Sequence, residues 1–132
     1  MISTLRKRLR REEKGFTLIE LLVVVIILGI LTAIAIPSYL SFTGRARDAA
    51  AKANLRSLIP DVESYFADNG TYATMTVANL KSAYDQSLNA SVYSVVSAAA
   101  ATYCVKAKDS PTGSVNYYKN GPAASMSATA CT

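Results

Sequence analysis

Between Phe16 and Ile36 the chain reads FTLIELLVVVIILGILTAIAI, 21 residues with a single ionisable side chain, Glu20. As a helix this run is about 31 Å long at 1.5 Å per residue, close to the hydrocarbon thickness of a bilayer. A helix buried in a soluble core carries polar residues along one face. Leu21 to Ile36 is apolar all round, with Gly29 and Thr32 as its only weak points. A chain of 132 residues has room for one small domain, too little to cover such a helix on every side. The segment therefore belongs in a membrane or among copies of itself.

Charge is distributed to match. Met1 to Gly15 holds six bases (Arg6, Lys7, Arg8, Arg10, Arg11, Lys14) and two acids, so most of the net charge of +5 lies there. From Phe16 onward eight bases nearly balance seven acids. A nucleic-acid-binding globule spreads its bases over the folded body, and this body is close to neutral. Bases before the apolar run predict a single-pass segment with its N-terminus in the cytoplasm, although Arg45, Arg47 and Lys52 on the far side weaken the asymmetry. The simplest reading of the apolar run alone is an anchor carrying an exported head.

Histidine is absent. That removes Ser-His-Asp and Cys-His nucleophile pairs and any histidine metal site. The carboxylates Asp48, Asp61, Glu63, Asp68, Asp85 and Asp109 are scattered, and the sequence has no glycine-rich phosphate loop. The residue set argues against an enzyme and calls for no cofactor.

Glu20 asks for a partner. A carboxylate at the centre of a spanning helix costs about 2.5–3.5 kcal/mol, less near an end. Lys14 is six residues away, beyond the reach of an i to i+4 pair. Cleavage between Gly15 and Phe16 would create a new ammonium group one turn from Glu20. Pairing between staggered neighbours would neutralise both charges only on assembly and would set the axial register.

The string KGFTLIELLVVVIILGILTAIAIPSYL, Lys14 to Leu40, resembles the N-terminus of type IV prepilins and of type II secretion pseudopilins. The shared features are a short basic leader ending in Gly15, then Phe16, Thr17, Leu18, Ile19 and Glu20, and the later Pro37. The resemblance implies cleavage after Gly15 by a prepilin peptidase and N-methylation of Phe16. Glu20 would then pair with a neighbouring subunit's N-terminus. Residues 1–15 would be a leader, 16–36 the transmembrane and assembly half of the helix, and 37–132 an exported head that includes the helix's upper half. An ordinary secretory signal, cut near Ala33-Ile34-Ala35, is the alternative; the apolar stretch exceeds the usual 7–15 residues and Glu20 would go unexplained.

Beyond Pro37 the pattern turns amphipathic, with Leu55, Leu58, Ile59, Val62 and Phe66 at spacings of three and four. This predicts one long helix from about Phe16 to Asp68, stopped by Asn69-Gly70, with Leu58, Ile59, Val62 and Phe66 facing a sheet. Pro37 and Pro60 should each kink or loosen it; in the resembling families the region after the equivalent of Pro37 unwinds in some fibres. A short second helix is expected from Thr76, as N-cap, to about Asp85. Strands follow at Val92 to Ser97, Thr102 to Lys106 and Val115 to Lys119, with turns at Ser110-Pro111-Thr112-Gly113 and Asn120-Gly121-Pro122. The fold class is α+β, a long N-terminal helix on a small antiparallel sheet. Of the eight tyrosines, Tyr65, Tyr103 and Tyr117 fit packing better than an electron-transfer stripe. Asn69-Gly70-Thr71 and Asn89-Ala90-Ser91 match the glycosylation pattern.

Cys104 and Cys131 are the only cysteines, both in the exported region where oxidation is expected. Closing that loop of about 28 residues would stabilise the fold by roughly 3.5 kcal/mol on the chain-entropy model. Free thiols or a thiolate metal site are the alternatives; the resembling pilins often carry a C-terminal disulfide loop. The chain so read is a pilus subunit serving motility, adhesion or DNA uptake. Its expected partners are further copies of itself, the peptidase, membrane lipid before assembly, an inner-membrane platform with its assembly ATPase, and surface or DNA ligands. The precursor would sit in the cytoplasmic membrane and the assembled filament outside the cell. The competing readings are a major pseudopilin of type II secretion, which the cysteine loop and the lack of an acidic C-terminal cluster disfavour, and an anchored head that does not assemble.

Overall fold

The computed structural model describes residues 15–131; the basic leader up to Lys14 lies outside the described residues. The element order is α1 (Leu18–Asn69), α2 (Val77–Ala83), β1 (Tyr93–Ala98), β2 (Tyr103–Lys108), β3 (Asn116–Gly121) and β4 (Met126–Ser127). Contacts divide the chain into two units, one ending at Ser41 and the other running from Phe42 to Thr132, with α1 crossing the boundary.

In the first unit every described residue is exposed, and even Leu22, among its most covered large apolar side chains, is 42% accessible. The apolar part of α1 is long enough to span a membrane. Its hydroxyls are satisfied within the helix: Thr32 Oγ1 donates to Leu28 O at 2.8 Å and Ser38 Oγ to Ile34 O at 3.2 Å. Such internal bonding is what lets Thr and Ser sit in a lipid environment. The helix assignment is continuous through Pro37 and Pro60, although neither residue has an N–H to give to the turn below.

The second unit is organised by the upper half of α1. Ala51, Leu55, Leu58, Val62 and Tyr65 are buried, a stripe at spacings of four and three. The expected contact face is corrected at two positions. Ile59 is only part-buried, and Phe66 lies at the edge of the core while Tyr65 takes the central place. Leucine and tyrosine at 58 and 65 continue the row set by Ala51 and Leu55. Ile59 and Phe66 fall about 100° further round, on its shoulder. The helix ends as expected: Gly70 adopts φ 68° and donates its N–H to Phe66 O at 2.7 Å, a left-handed cap that suits glycine.

Thr76 caps α2, its Oγ1 accepting from Asn79 N at 3.1 Å, and Leu80 plugs this short helix into the core. The strands form an antiparallel sheet in the order β1-β2-β3-β4. On β2, Tyr103, Val105 and Ala107 are buried while Lys106 and Lys108 stay part-exposed, as the alternation predicts. Cys104 is buried too, where it bonds to Cys131. The strands begin and end one or two residues later than the sequence expectation, and the two-residue β4 was not anticipated. So short a strand has too few positions to show a period.

Gly121 sits directly across from Tyr103 and is buried. A Cβ there would run into the Tyr103 ring, so the close approach of ring to backbone requires glycine. Cys104 and Cys131, with Cα atoms 6.1 Å apart, form the disulfide and close a 27-residue separation. Replacing both cysteines by serine is expected to lower head stability by roughly 3.5 kcal/mol, from loop-closure entropy in the unfolded chain. Urea unfolding followed by circular dichroism, with and without reductant on the parent chain, measures this; a midpoint unmoved by reduction would refute it.

Candidate assembly site at the helix N-terminus

At the start of α1 the main-chain donors of the first turn have no carbonyl below them. Thr17 and Glu20 answer this reciprocally. Thr17 N donates to Glu20 Oε2 at 2.9 Å, Thr17 Oγ1 donates to the same oxygen at 2.8 Å, and Glu20 N donates to Thr17 Oγ1 at 3.3 Å. This is a capping box, with Thr17 as the cap and the glutamate three residues on. Its signature, Thr-x-x-Glu ahead of an apolar run, stands in the sequence, and that signal alone could have assigned Thr17 a role.

Gly15 and Phe16 lie just before the helix in extended chain, and Phe16 is 87% exposed. Together with Thr17 and Glu20 they line an open recess of about 350 Å³. The Gly15–Phe16 peptide and the acid thus share one surface, and among the described residues only Thr17 bonds the Glu20 carboxylate. Both bonds fall on Oε2, and Oε1 accepts none from the described residues.

In the head the polar side chains that matter are held by packing. Glu63, on α1, accepts from Tyr72 Oη at 2.9 Å and from Tyr103 Oη at 2.8 Å. Phe66 stacks on Tyr72 at 4.5 Å between ring centroids, and Tyr72 leans on Tyr103 at 4.7 Å. Burial, aided by the Glu63 carboxylate, pushes the Tyr72 hydroxyl up to about 12 and raises Tyr103 in the same direction. Sequence reasoning missed Glu63 because its partners lie 9 and 40 residues away and no local spacing announces them. Tyr65 bonds Thr74 Oγ1 through its hydroxyl at 2.8 Å, and Lys52 lies 4.8 Å above the Tyr117 ring. These tyrosines are packing residues. Of the two glycosylation patterns, Asn69 donates its amide to Tyr65 O and Asn89 accepts from Ser91 N.

Asp61 stands apart. One of its carboxylate oxygens is buried and has no hydrogen-bond partner, and desolvation, with Asp85 nearby, holds its carboxyl above the usual range. Because the folded-state value is raised, the ionised form detracts from stability as pH climbs above 3.8, and the penalty is absent in acid where folded and unfolded chains are both protonated. Asp61→Asn is therefore expected to raise the melting temperature of detergent-solubilised chain at pH 7 and to leave it unchanged near pH 2. Equal shifts at both pH values would show that charge is not the cause.

Among the described residues no three Cys, Asp or Glu side chains gather as a metal site would require. The N-terminal half of the chain matches known proteins in just this region: the prokaryotic N-terminal methylation motif covers residues 10–36. The type IV major pilin PilA of Myxococcus xanthus is 44% identical over 66 residues, half of this chain but only 30% of that protein. A longer match reaches into the head. The type IV wide pilus major component PilA4 of Thermus thermophilus is 38% identical over 95 residues, 72% of this chain and 72% of that one. The chain belongs to the type IV pilin family.

Part of the pilin is also similar to a secretion protein. The type II secretion system core protein G of Pseudomonas aeruginosa is 41% identical over 63 residues, 48% of the pilin and 44% of that protein. The match thus spans less than half the length of the Myxococcus and Pseudomonas relatives. The methylation motif and the long apolar helix fit a membrane-anchored precursor and an extracellular fibre.

Proposed function

We propose that the chain is a structural subunit of a type IV pilus. A prepilin peptidase cuts between Gly15 and Phe16, Phe16 is N-methylated, and the mature chain enters a helical polymer through the apolar half of α1. The observation that carries this reading is the 95-residue likeness to the Thermus pilus component, which extends past the shared N-terminal motif. The Cys104–Cys131 loop adds support for a pilin over a secretion pseudopilin.

Before assembly the chain spans the cytoplasmic membrane with its N-terminus inside, as the basic leader favours. Glu20 then exchanges its intrachain Thr17 bonds for the ammonium of a neighbour's Phe16. Each added subunit makes a heterologous, non-closing contact, and repetition of such a contact gives a filament. Energy and the assembly platform come from partner proteins of the inner membrane, and the head surface meets whatever the fibre binds. The chemistry is polymerisation by packing and ion pairing, with no catalytic step.

The test is the N-terminal residue and mass of the chain isolated from its own cells. N-methylated Phe16 is expected. A functional form that keeps Met1 would overturn processing and point to a simple anchor, and a start near Ile36 would point to a secreted head.

A further inference from the structure

Opposite flanks of α1 in the head carry opposite charge. At about 100° per residue, Arg45, Lys52 and Arg56 fall in one row, centred about 120° round from the buried stripe. Asp61 and Asp68 fall in a second row, about 90° round on the other side. Asp85 extends the acidic row from the segment after α2, since its charge acts on Asp61.

Neither row is neutralised within the head. The one ion pair among the described residues joins Arg47, which lies outside both rows, to Asp109 at 3.9 Å. Arg45 and Arg56 are exposed, and Lys52 meets only the Tyr117 ring. Glu63 lies in the basic row, but both its oxygens are taken by tyrosine hydroxyls. Asp48 falls between that row and the buried stripe. On the acidic side Lys81 acts on Asp85, Asp68 accepts from Tyr84 Oη at 2.8 Å, and Asp61 keeps a buried oxygen with no donor. Asp61 as a whole is part-exposed and has no cation partner among the described residues.

We infer that the basic row of one subunit docks on the acidic patch of the next, with Arg45 supplying the cation that Asp61 lacks and Arg56 facing Asp68. This rests on the filament reading and names its contact in the head. Two different, complementary surfaces on opposite flanks of one chain suit a heterologous contact, whereas a two-fold contact through either flank alone would bring like charges together. The rows are also offset along the axis. Their centres lie about 13 residues apart, so a parallel neighbour displaced by about 20 Å brings them level.

The test compares filaments sheared from cells that express each variant. Arg45→Glu with Arg56→Glu is expected to reduce filament yield by about tenfold or more, since like charges then face each other across the contact. Both side chains are exposed, so melting of the detergent-solubilised monomer should be unchanged. Adding Asp61→Lys should restore much of the yield. Undiminished filaments in the double reversal, or a loss that Asp61→Lys does not rescue, would overturn the contact.

Should Asp61→Lys itself lower monomer melting, a chain carrying Arg45→Cys and Asp61→Cys decides the matter. Its filaments should oxidise to a ladder of crosslinked chains on a non-reducing gel, and monomer alone would overturn the proposal. Parent chain that makes no filament at all would instead sink the polymer reading, a failure distinct from failure of this contact.

Discussion

Glu20→Val is expected to leave the precursor processed, folded and membrane-bound while cutting filament yield by well over tenfold. Two effects act in the same direction. Valine removes the cost of holding a carboxylate in the apolar layer, so the unassembled state becomes more comfortable. It also removes the attraction to a neighbour's ammonium. Glu20→Gln separates charge from capping, because an amide oxygen still accepts from Thr17 while carrying no charge. It should also fail to assemble. Immunoblots of sheared filaments and of membranes report both pools; wild-type filament yield in Glu20→Val would sink the pairing mechanism.

Glu63→Ala is expected to be the most damaging single change in the head outside the disulfide. It strands the hydroxyls of Tyr72 and Tyr103, each residue only 1% exposed. Hydrogen bonds to a charged acceptor contribute about 1.5–3 kcal/mol each, so the pair puts the loss at roughly 3 kcal/mol or more. For a unit of this size that lowers the melting temperature by more than about 10 °C. The same cluster sets an alkaline limit. Both phenols have folded-state values raised above the ordinary 10.0. Their contribution is complete below pH 10.0 and is lost as pH rises towards the folded value of about 12 for Tyr72. Thermal melts from pH 8 to 12 check this: the parent should lose stability steeply above about pH 10, and Glu63→Ala less steeply. A variant that melts within a degree or two of the parent would show that water replaces the carboxylate at no cost.

The placement of Glu63 shows where sequence reading runs out. Tyr72 and Tyr103 reach it from a loop and a strand, and nothing in the spacing of the three residues marks them as one cluster. Gly121 is similar, its need for glycine arising from a ring across the sheet rather than from its own turn. Tyr65 rather than Phe66 in the central core position is a question of helix phase, which periods of three and four leave open by one residue. Thr17 differs, because the capping-box spacing was available and only its consequence was overlooked.

What the sequence determined by itself was whatever depends on neighbours along the chain. A 21-residue apolar run with one acid, the stop at Asn69-Gly70, the Thr76 cap and the alternation of β2 are all short-range patterns. Helix and strand periods and cap chemistry repeat over a few residues and need no fold to be recognised. The tertiary structure decided what depends on distant partners: the phase of the buried stripe, the carboxylate shared by two tyrosines, the glycine beneath a ring, and the two charged flanks left unpaired. Those contacts join residues tens of positions apart, and their energy comes from desolvation that exists only once the core has closed.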